Sequence, residues 1–353
     1  MTGAPAVSVV MTVYNGGPWL RESLDSVLAQ TMTDIELVVV DDASTDGSGD
    51  QVAARGDPRI RLLRNDTNLK QTASLNRGLA AARGRYVARM DADDICEPTR
   101  LEKQAALMEA TPALGIVGSA VRIIDERGSE KQVLSQPCSD AALRFVSMVR
   151  NPFHHPTVMI RRDVLLRNGL AYDPRYAFNQ DFDLWTRLLP HARAANLAEP
   201  LLRYRIHGAN MSTTRATEMY EASVAFTARR IRDELPGFQA SEAEVRACYA
   251  SFSGGAPRGL VLDRAQQRAG LRLFARLLDA FAAGRSGDPG LAEARRWAVR
   301  LAARALLRSA PSSDSLRLLW RLVGQEPLAP GWLIGDAAAL AWSKLRSLPG
   351  GAA

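Results

Sequence analysis

Residues 68–94 read NLKQTASLNRGLAAARGRYVARMDADD. Within them 71–82 reads as a helix and 86–90 (YVARM) as a buried strand, which runs straight into Asp91-Ala92-Asp93-Asp94. The same alternation holds upstream. Residues 7–12 (VSVVMT) form a β-branched run, a loop 13–17 follows, and Pro18 stands where a helix begins. That helix carries an apolar stripe of Trp19, Leu20, Leu24, Val27 and Leu28. Residues 35–40 (IELVVV) make a second buried strand ending in Asp41-Asp42, and 59–64 make a third. Strands alternating with helices at this spacing predict an α/β protein with a parallel-type sheet covered on both faces. Ligands of such sheets bind at the carboxyl ends of the strands, where three of these four run into polar or acidic residues.

Downstream the pattern loosens. Short strands are expected at 114–121, 157–160 and 201–206, and a helix with an acidic first turn at 181–189. Beyond Arg215 the texture becomes Ala, Arg and Leu with helical periodicity, giving expected helices at 217–233, 241–251, 260–281, 291–308 and 314–322. The expected division is therefore an α/β domain over 1–215 and a C-terminal helical region over 216–353.

The 353 residues are 46% hydrophobic and 24% charged, as in a globular protein with a sizeable core. The most apolar stretch, 332–348, is interrupted by Asp336, Lys344 and Arg346, so no bilayer span is expected. Residues 1–5 carry no Lys or Arg, so no signal peptide is expected. Cys96, Cys138 and Cys248 are odd in number and widely spaced, which suggests free thiols in a reducing cytoplasm. Six of the seven net positive charges lie beyond Arg215, where 19 Lys and Arg face 13 Asp and Glu.

Asp91 and Asp93, two residues apart at a strand end, can present oxygens to one hard divalent cation. Such a cation completes its shell with water and substrate phosphate, the arrangement that neutralises a leaving diphosphate. The pair alone also fits an exposed acidic turn in which Asp94 caps a helix before Pro98.

Several blocks in order resolve that ambiguity. VSVVMTVYNGGPWLRESLDSVLAQT, IELVVVDDASTDGS, NLKQTASLNRGLAAARGRYVARMDADD, PTRLEKQ, NQDFDLWTRL and LLRYRIHGANMS together resemble glycosyltransferase family 2, over roughly residues 6–213. The resemblance implies a GT-A fold, a Rossmann-like doubly wound mixed sheet, and an inverting, non-processive, metal-dependent sugar transfer. It implies that Thr12, Val13, Tyr14 and Asn15 line the nucleoside, with Tyr14 stacking on the base. Asp42 would accept a hydrogen bond from the uracil or the ribose, unless it only shapes an Asx-type turn with Asp41, Ser44 and Asp46. Asn76 and Arg77 would face the nucleotide. Asp91 and Ala92 would approach the ribose, and Asp93, with Asp91, would bind Mn²⁺ or Mg²⁺. A histidine placed like His207 completes the metal shell in some relatives. The base position falls on Asp181. The family usually shows Glu-Asp there, and this chain has Gln180-Asp181, which puts in question any acceptor role of the missing Glu. Asp183 lies about 200° from Asp181 around a helix, so the two cannot face one site.

The implied donor is a nucleoside-diphosphate sugar, with uridine or deoxythymidine as its base. The implied acceptor is a hydroxyl of a glycan, a lipid-linked carrier or another glycoconjugate in cell-surface polysaccharide synthesis. His154 and His155, before Pro156, are candidates for the acceptor pocket. Arg264, Arg268, Arg272 and Arg276, and again Arg296, Arg300, Arg304 and Arg308, recur at i, i+4 beside apolar stripes. They read as a solvated helix face or as peripheral contact with an anionic membrane on its cytoplasmic side. Nucleic acid is not expected, because no reading motif or interleaved aromatics accompany them. A sugar-phosphate nucleotidyltransferase would open with a Gly-rich loop, whereas Val13-Tyr14-Asn15-Gly16-Gly17 stands here. A dehydrogenase would need G-x-G-x-x-G, which is absent. A catalytically impaired nucleotide-binding scaffold is the remaining alternative, with Gln180 its one supporting mark.

Overall fold

The computed structural model describes residues 3–208, 216–253 and 260–308. The helix expected at 314–322 and the apolar stretch 332–348 lie outside them. Contacts divide the chain into two compact units. The first comprises residues 1–138 and 153–215, and the second 139–152 and 216–353. The sequence suggested one boundary at 215/216; residues 139–152 instead fold with the helical unit.

Among the described residues the first unit has nine strands: β1 (Val7–Val13), β2 (Ile35–Asp41), β3 (Ile60–Arg64), β4 (Tyr86–Met90), β5 (Ile95–Cys96), β6 (Leu114–Ile124), β7 (Glu130–Leu134), β8 (Met159–Arg161) and β9 (Arg193–Arg205). Their order is β3-β2-β1-β4-β8-β6-β9-β5, with β7 paired to β6. β1 is parallel to both β2 and β4, and β2 to β3, while β8 turns antiparallel against β4 and β6. The result is a mixed sheet whose first half is the parallel nucleotide-type half.

Every residue of β2 is buried, which is why it reads as an unbroken apolar run. One face of the sheet packs Val7, Val9, Met11 and Val13 against Leu20, Leu24 and Val27 of α1 (Leu20–Leu28) and Leu101 and Met108 of α4 (Arg100–Ala110). After β2 comes the short α2 (Ser48–Ala53), and the other face of the sheet receives α3 (Lys70–Ala81). At Gly78 a Cβ would lie 2.5 Å from Val10 Cγ1, so only glycine lets α3 lie flush on the sheet. β9 starts eight residues before the strand expected at 201–206. Its register against β6 shifts where Ala120 meets Pro200, since a proline has no N–H for the ladder and sits at a bulge. That irregularity hides the strand from a period-two reading. Among the described residues no helix is long and apolar enough to cross a membrane.

A polar cluster ties the outer parallel strands together. Ser8 Oγ donates to Glu36 Oε1 at 2.6 Å, and Arg61 and Arg83 each pair with Glu36 Oε2 at 2.9 Å. Burial raises the Glu36 pKa, but the bonds from Ser8, Arg83 and Arg61 outweigh it and bring the carboxyl down to about 2. The anion therefore stabilises the fold above the ordinary carboxylate range, and that contribution is lost as pH falls from 4.5 through about 2. Both arginines are partly exposed, so Glu36→Gln should cost about 2 kcal/mol at neutral pH. Urea unfolding at pH 7 and pH 3 checks this: the gap between the two proteins should narrow in acid, and a gap independent of pH would contradict the assignment.

The second unit contains α5 (Asp140–Ser147), α8 (Ala216–Glu234), α9 (Glu242–Phe252), α10 (Arg264–Ala283) and α11 (Leu291–Arg308). Its core stacks Phe252 on Phe274 at 4.0 Å, and Phe145 lies against Phe274 and Phe281. Capping boxes at Ser241/Glu244 and Asp263/Gln266 start α9 and α10. Of the first arginine stripe, Arg276 pairs with Glu244 at 3.0 Å, while Arg264 and Arg272 are exposed. In the second, Arg300 lies over the Trp297 ring, and the side chain of Arg308 falls outside the described residues.

Candidate active site

The carboxyl ends of β1 and β2 carry two loops that staple each other. The Asn15 N–H donates to Ser44 Oγ, the Gly16 N–H to Ser48 Oγ and the Thr45 N–H to Asn15 Oδ1, at 2.9–3.0 Å. Thr12 and Val13 close β1, and the Val13 carbonyl accepts from the Asp42 N–H at 2.8 Å. Tyr14 projects from this platform with 54% of its surface exposed, unusual for an aromatic ring and suited to stacking. Asp42 is buried, and its Oδ1 accepts from Asn65 Nδ2 at 2.6 Å and from the Leu69 N–H at 2.8 Å. Oδ2 takes no part in those bonds.

Asn76 was expected to face the nucleotide. Its amide instead clamps the backbone of Tyr172: Nδ2 donates to the Tyr172 carbonyl at 2.7 Å and Oδ1 accepts from the Tyr172 N–H at 2.9 Å. With donor and acceptor both engaged, Asn76 acts as a strap across α3 and the following segment. Arg77 likewise caps the Arg64 carbonyl and the Asn65 amide.

The acidic turn follows β4. Asp91, Asp93 and Asp94 bring ligand oxygens within 4.8 Å of one another. His207 Nε2 lies 2.9 Å from Asp93 Oδ2, and Trp19 stacks on the His207 ring at 4.4 Å. Arg205 is buried and braces the turn: its N–H donates to Asp94 Oδ1 and its Nε to the Asp93 carbonyl, both at 2.9 Å. Burial first, then the charges of Asp93 and Asp91, pushes the Asp94 carboxyl well above the usual range. Burial raises Asp91 too, opposed by Arg89 and reinforced by Asp93. Among the described residues the buried Asp94 Oδ2 has no hydrogen-bond partner. Crowded carboxylates, an unpartnered buried oxygen and an adjacent imidazole are the donor set a divalent cation satisfies. Asp91, Asp93, Asp94 and His207 therefore fit Mn²⁺ or Mg²⁺. Ala92, between the two acids, packs on the core.

After α6 (Arg162–Arg167), α7 (Gln180–Leu188) carries Asp181 in its first turn. Gln180 Nε2 donates to Gln71 Oε1 at 2.9 Å, and Thr72 Oγ1 to the Tyr176 carbonyl at 2.8 Å, so the start of α7 and its approach dock on the start of α3. Asp183 is buried and pairs with Arg187 on the same helix, a structural pair. His155 Nε2 lies 2.7 Å from the Tyr172 hydroxyl. Burial, helped by the charge of Arg89, holds the His155 pKa well below the ordinary value, so the ring is neutral. Burial raises the Tyr172 phenol; Arg89 opposes this, while Asp181 and Asp91 add to it. Tyr172 thus feels both the acidic turn and α7. His154 Nε2 meets Gln136 Nε2 at 3.4 Å.

Arg89, Asp94, Trp19, Tyr172 and Arg205 are the site residues that sequence reasoning missed. A charged residue inside YVARM was the readable signal, since a buried strand holds an arginine only with a partner. The backbone gives a second signal. Among the described residues the non-glycine positions with left-handed φ are Asn15 (51°), Ala43 (61°), Lys70 (72°) and Asn179 (55°). They stand just past β1, just past β2, at the start of α3 and at the start of α7. Such strain collects where a site fixes its loops.

The family model described as "Glycosyl transferase family 2" matches residues 8–208, more than half of the chain. An uncharacterized glycosyltransferase of Haemophilus influenzae is 31% identical over 244 residues, 66% of this chain and 74% of that protein. The O-antigen biosynthesis glycosyltransferase WbnJ of Escherichia coli is 32% identical, over 63% of this chain and 87% of its own. Among solved structures, residues 1–349 of S. aureus TarS, crystallised with UDP-GlcNAc, superpose with a TM-score of 0.56 at 17% identity over 90% of both chains. That last likeness is one of fold.

Proposed function

The chain belongs to glycosyltransferase family 2, and from that premise we propose that it transfers a single sugar, with inversion, from a uridine or deoxythymidine diphosphate sugar to a glycan or lipid-linked hydroxyl in cell-surface polysaccharide synthesis. The observation that carries this reading is the acidic turn Asp91, Asp93 and Asp94 facing His207 at the end of β4, beside the loops bearing Tyr14 and Asp42. The relative in O-antigen synthesis supports the acceptor class.

In this reading Tyr14 stacks on the base, and Asp42 Oδ2, outside its own network, accepts from base or ribose. Asp91 turns its remaining oxygen to the ribose. Asp93, Asp94 and His207 hold the divalent cation, which when bound neutralises charge on the departing diphosphate. Asp181, on the first turn of α7, takes the proton of the acceptor hydroxyl as that oxygen attacks the anomeric carbon. Trp19 and Arg205 keep His207 and the turn in place, and the neutral His155–Tyr172 pair forms an uncharged wall beside Arg89.

Incubation with a panel of nucleotide sugars and Mn²⁺ tests the proposal through the nucleoside diphosphate released. Release from a uridine or deoxythymidine donor, with the transferred or hydrolysed sugar inverted, is expected. Retained configuration would overturn the single-displacement mechanism, and no release from any donor would favour the scaffold alternative.

A further inference from the structure

Four groups at the acidic turn can ligate a cation, and one of them is tied elsewhere. Arg89 is 3% exposed, on the face of β4 that Val10, Leu75, Ile160 and Tyr172 cover. Its Nη2 donates to Asp91 Oδ1, whereas Nε and Nη1 are buried without a hydrogen-bond partner among the described residues. The bond to Asp91 is therefore the fixed point of this guanidinium. Asp91 remains 26% exposed, with a carboxylate oxygen within 4.8 Å of those of Asp93 and Asp94, so its bond to Arg89 competes with any cation held there. Asp93 and His207 already face each other at 2.9 Å, and Asp94 Oδ2 has no hydrogen-bond partner among the described residues.

We propose that Arg89 is a positioning residue that withholds Asp91 from the cation and holds it toward the donor, leaving the metal to Asp93, Asp94 and His207. The inference rests on the donor-site reading above. A buried arginine is a costly way to orient a carboxylate, and two unpartnered N–H groups add to the cost. That arrangement makes sense where the carboxylate, once released, would turn to the metal instead.

The consequence is a split in sign. In Arg89→Met, Asp91 is released and a nearby positive charge is removed, and both changes favour the cation. Isothermal titration with Mn²⁺ alone should show binding about tenfold tighter than wild type, while nucleoside diphosphate at saturating Mn²⁺ binds about tenfold weaker. The Met side chain enters an apolar lining, so the melting temperature should hold or rise. Arg89→Lys keeps the charge but not the fork, and should weaken the nucleotide with Mn²⁺ affinity unchanged or tighter. A general disturbance of the site would instead weaken both ligands together. In Arg89→Met/Asp91→Asn, nucleotide affinity should equal that of Asp91→Asn alone, because Arg89 acts through Asp91. Parallel loss of Mn²⁺ and nucleotide affinity in either single variant, or additive losses in the double variant, would overturn the proposal. Wild-type protein that binds neither Mn²⁺ nor nucleotide would overturn the functional reading itself and this inference with it.

Discussion

Asp181→Asn should lower turnover by about 10²-fold or more while nucleotide affinity stays within about twofold of wild type. The amide has nearly the shape of the carboxylate but cannot take the acceptor's proton, so the loss belongs to the chemical step. Asp181 sits in the first turn of α7, a different element from the β1, β2 and β4 ends that form the donor loops. Donor binding and proton transfer are thus built on separate supports and should separate on mutation. Gln180 is anchored to Gln71 of α3, so the usual acid's position here serves docking. Asp183→Asn is the contrasting variant. It loosens the buried pair with Arg187 and should reduce stability more than turnover per folded molecule. Turnover of Asp181→Asn near that of wild type would remove it from the base position.

Asp93→Ala should abolish the metal-dependent part of nucleotide binding. Asp93 faces His207 and is one of three clustered carboxylates, so its loss removes one candidate ligand and the His207 contact at 2.9 Å. A ligand at 100 times its dissociation constant stabilises a fold by about 2.7 kcal/mol. For wild type with Mn²⁺ and nucleoside diphosphate the thermal shift should reflect a gain of that order. In Asp93→Ala the shift should fall to that of nucleotide alone, with or without Mn²⁺. A metal-dependent shift that survived the substitution would mean that the cation is held elsewhere.

The parallel half of the sheet was legible because its strands are buried on both faces and read as unbroken apolar runs that stop at acids. The antiparallel half was less so. β9 carries polar residues and Pro200 and pairs through register shifts, so its first eight residues show no strand period. α5 lies in a stretch that folds with the helical unit, a long-range association no local pattern encodes. At the candidate site, motif order pointed to the two loops, the acidic turn, His207 and Asp181, and in the fold each of them follows a strand or opens a helix. It misjudged Asn76, whose amide is spent on Tyr172, because which polar group of a helix faces a ligand and which ties down a neighbouring segment depends on tertiary contact. Arg89 and Arg205 escaped notice because arginine in a strand is usually an edge or surface residue, and here both are buried struts of the acidic turn.

In the proposed reading, the carboxyl ends of β1, β2 and β4 form a cation-dependent site for a nucleoside-diphosphate sugar. Thermal stabilisation of the wild-type protein by a panel of nucleoside diphosphates, each with and without Mn²⁺, tests it most directly. A shift with the uridine or deoxythymidine diphosphate that requires the metal is expected, with a smaller or absent shift for the others. No shift with any nucleotide, or a shift indifferent to Mn²⁺, would contradict it.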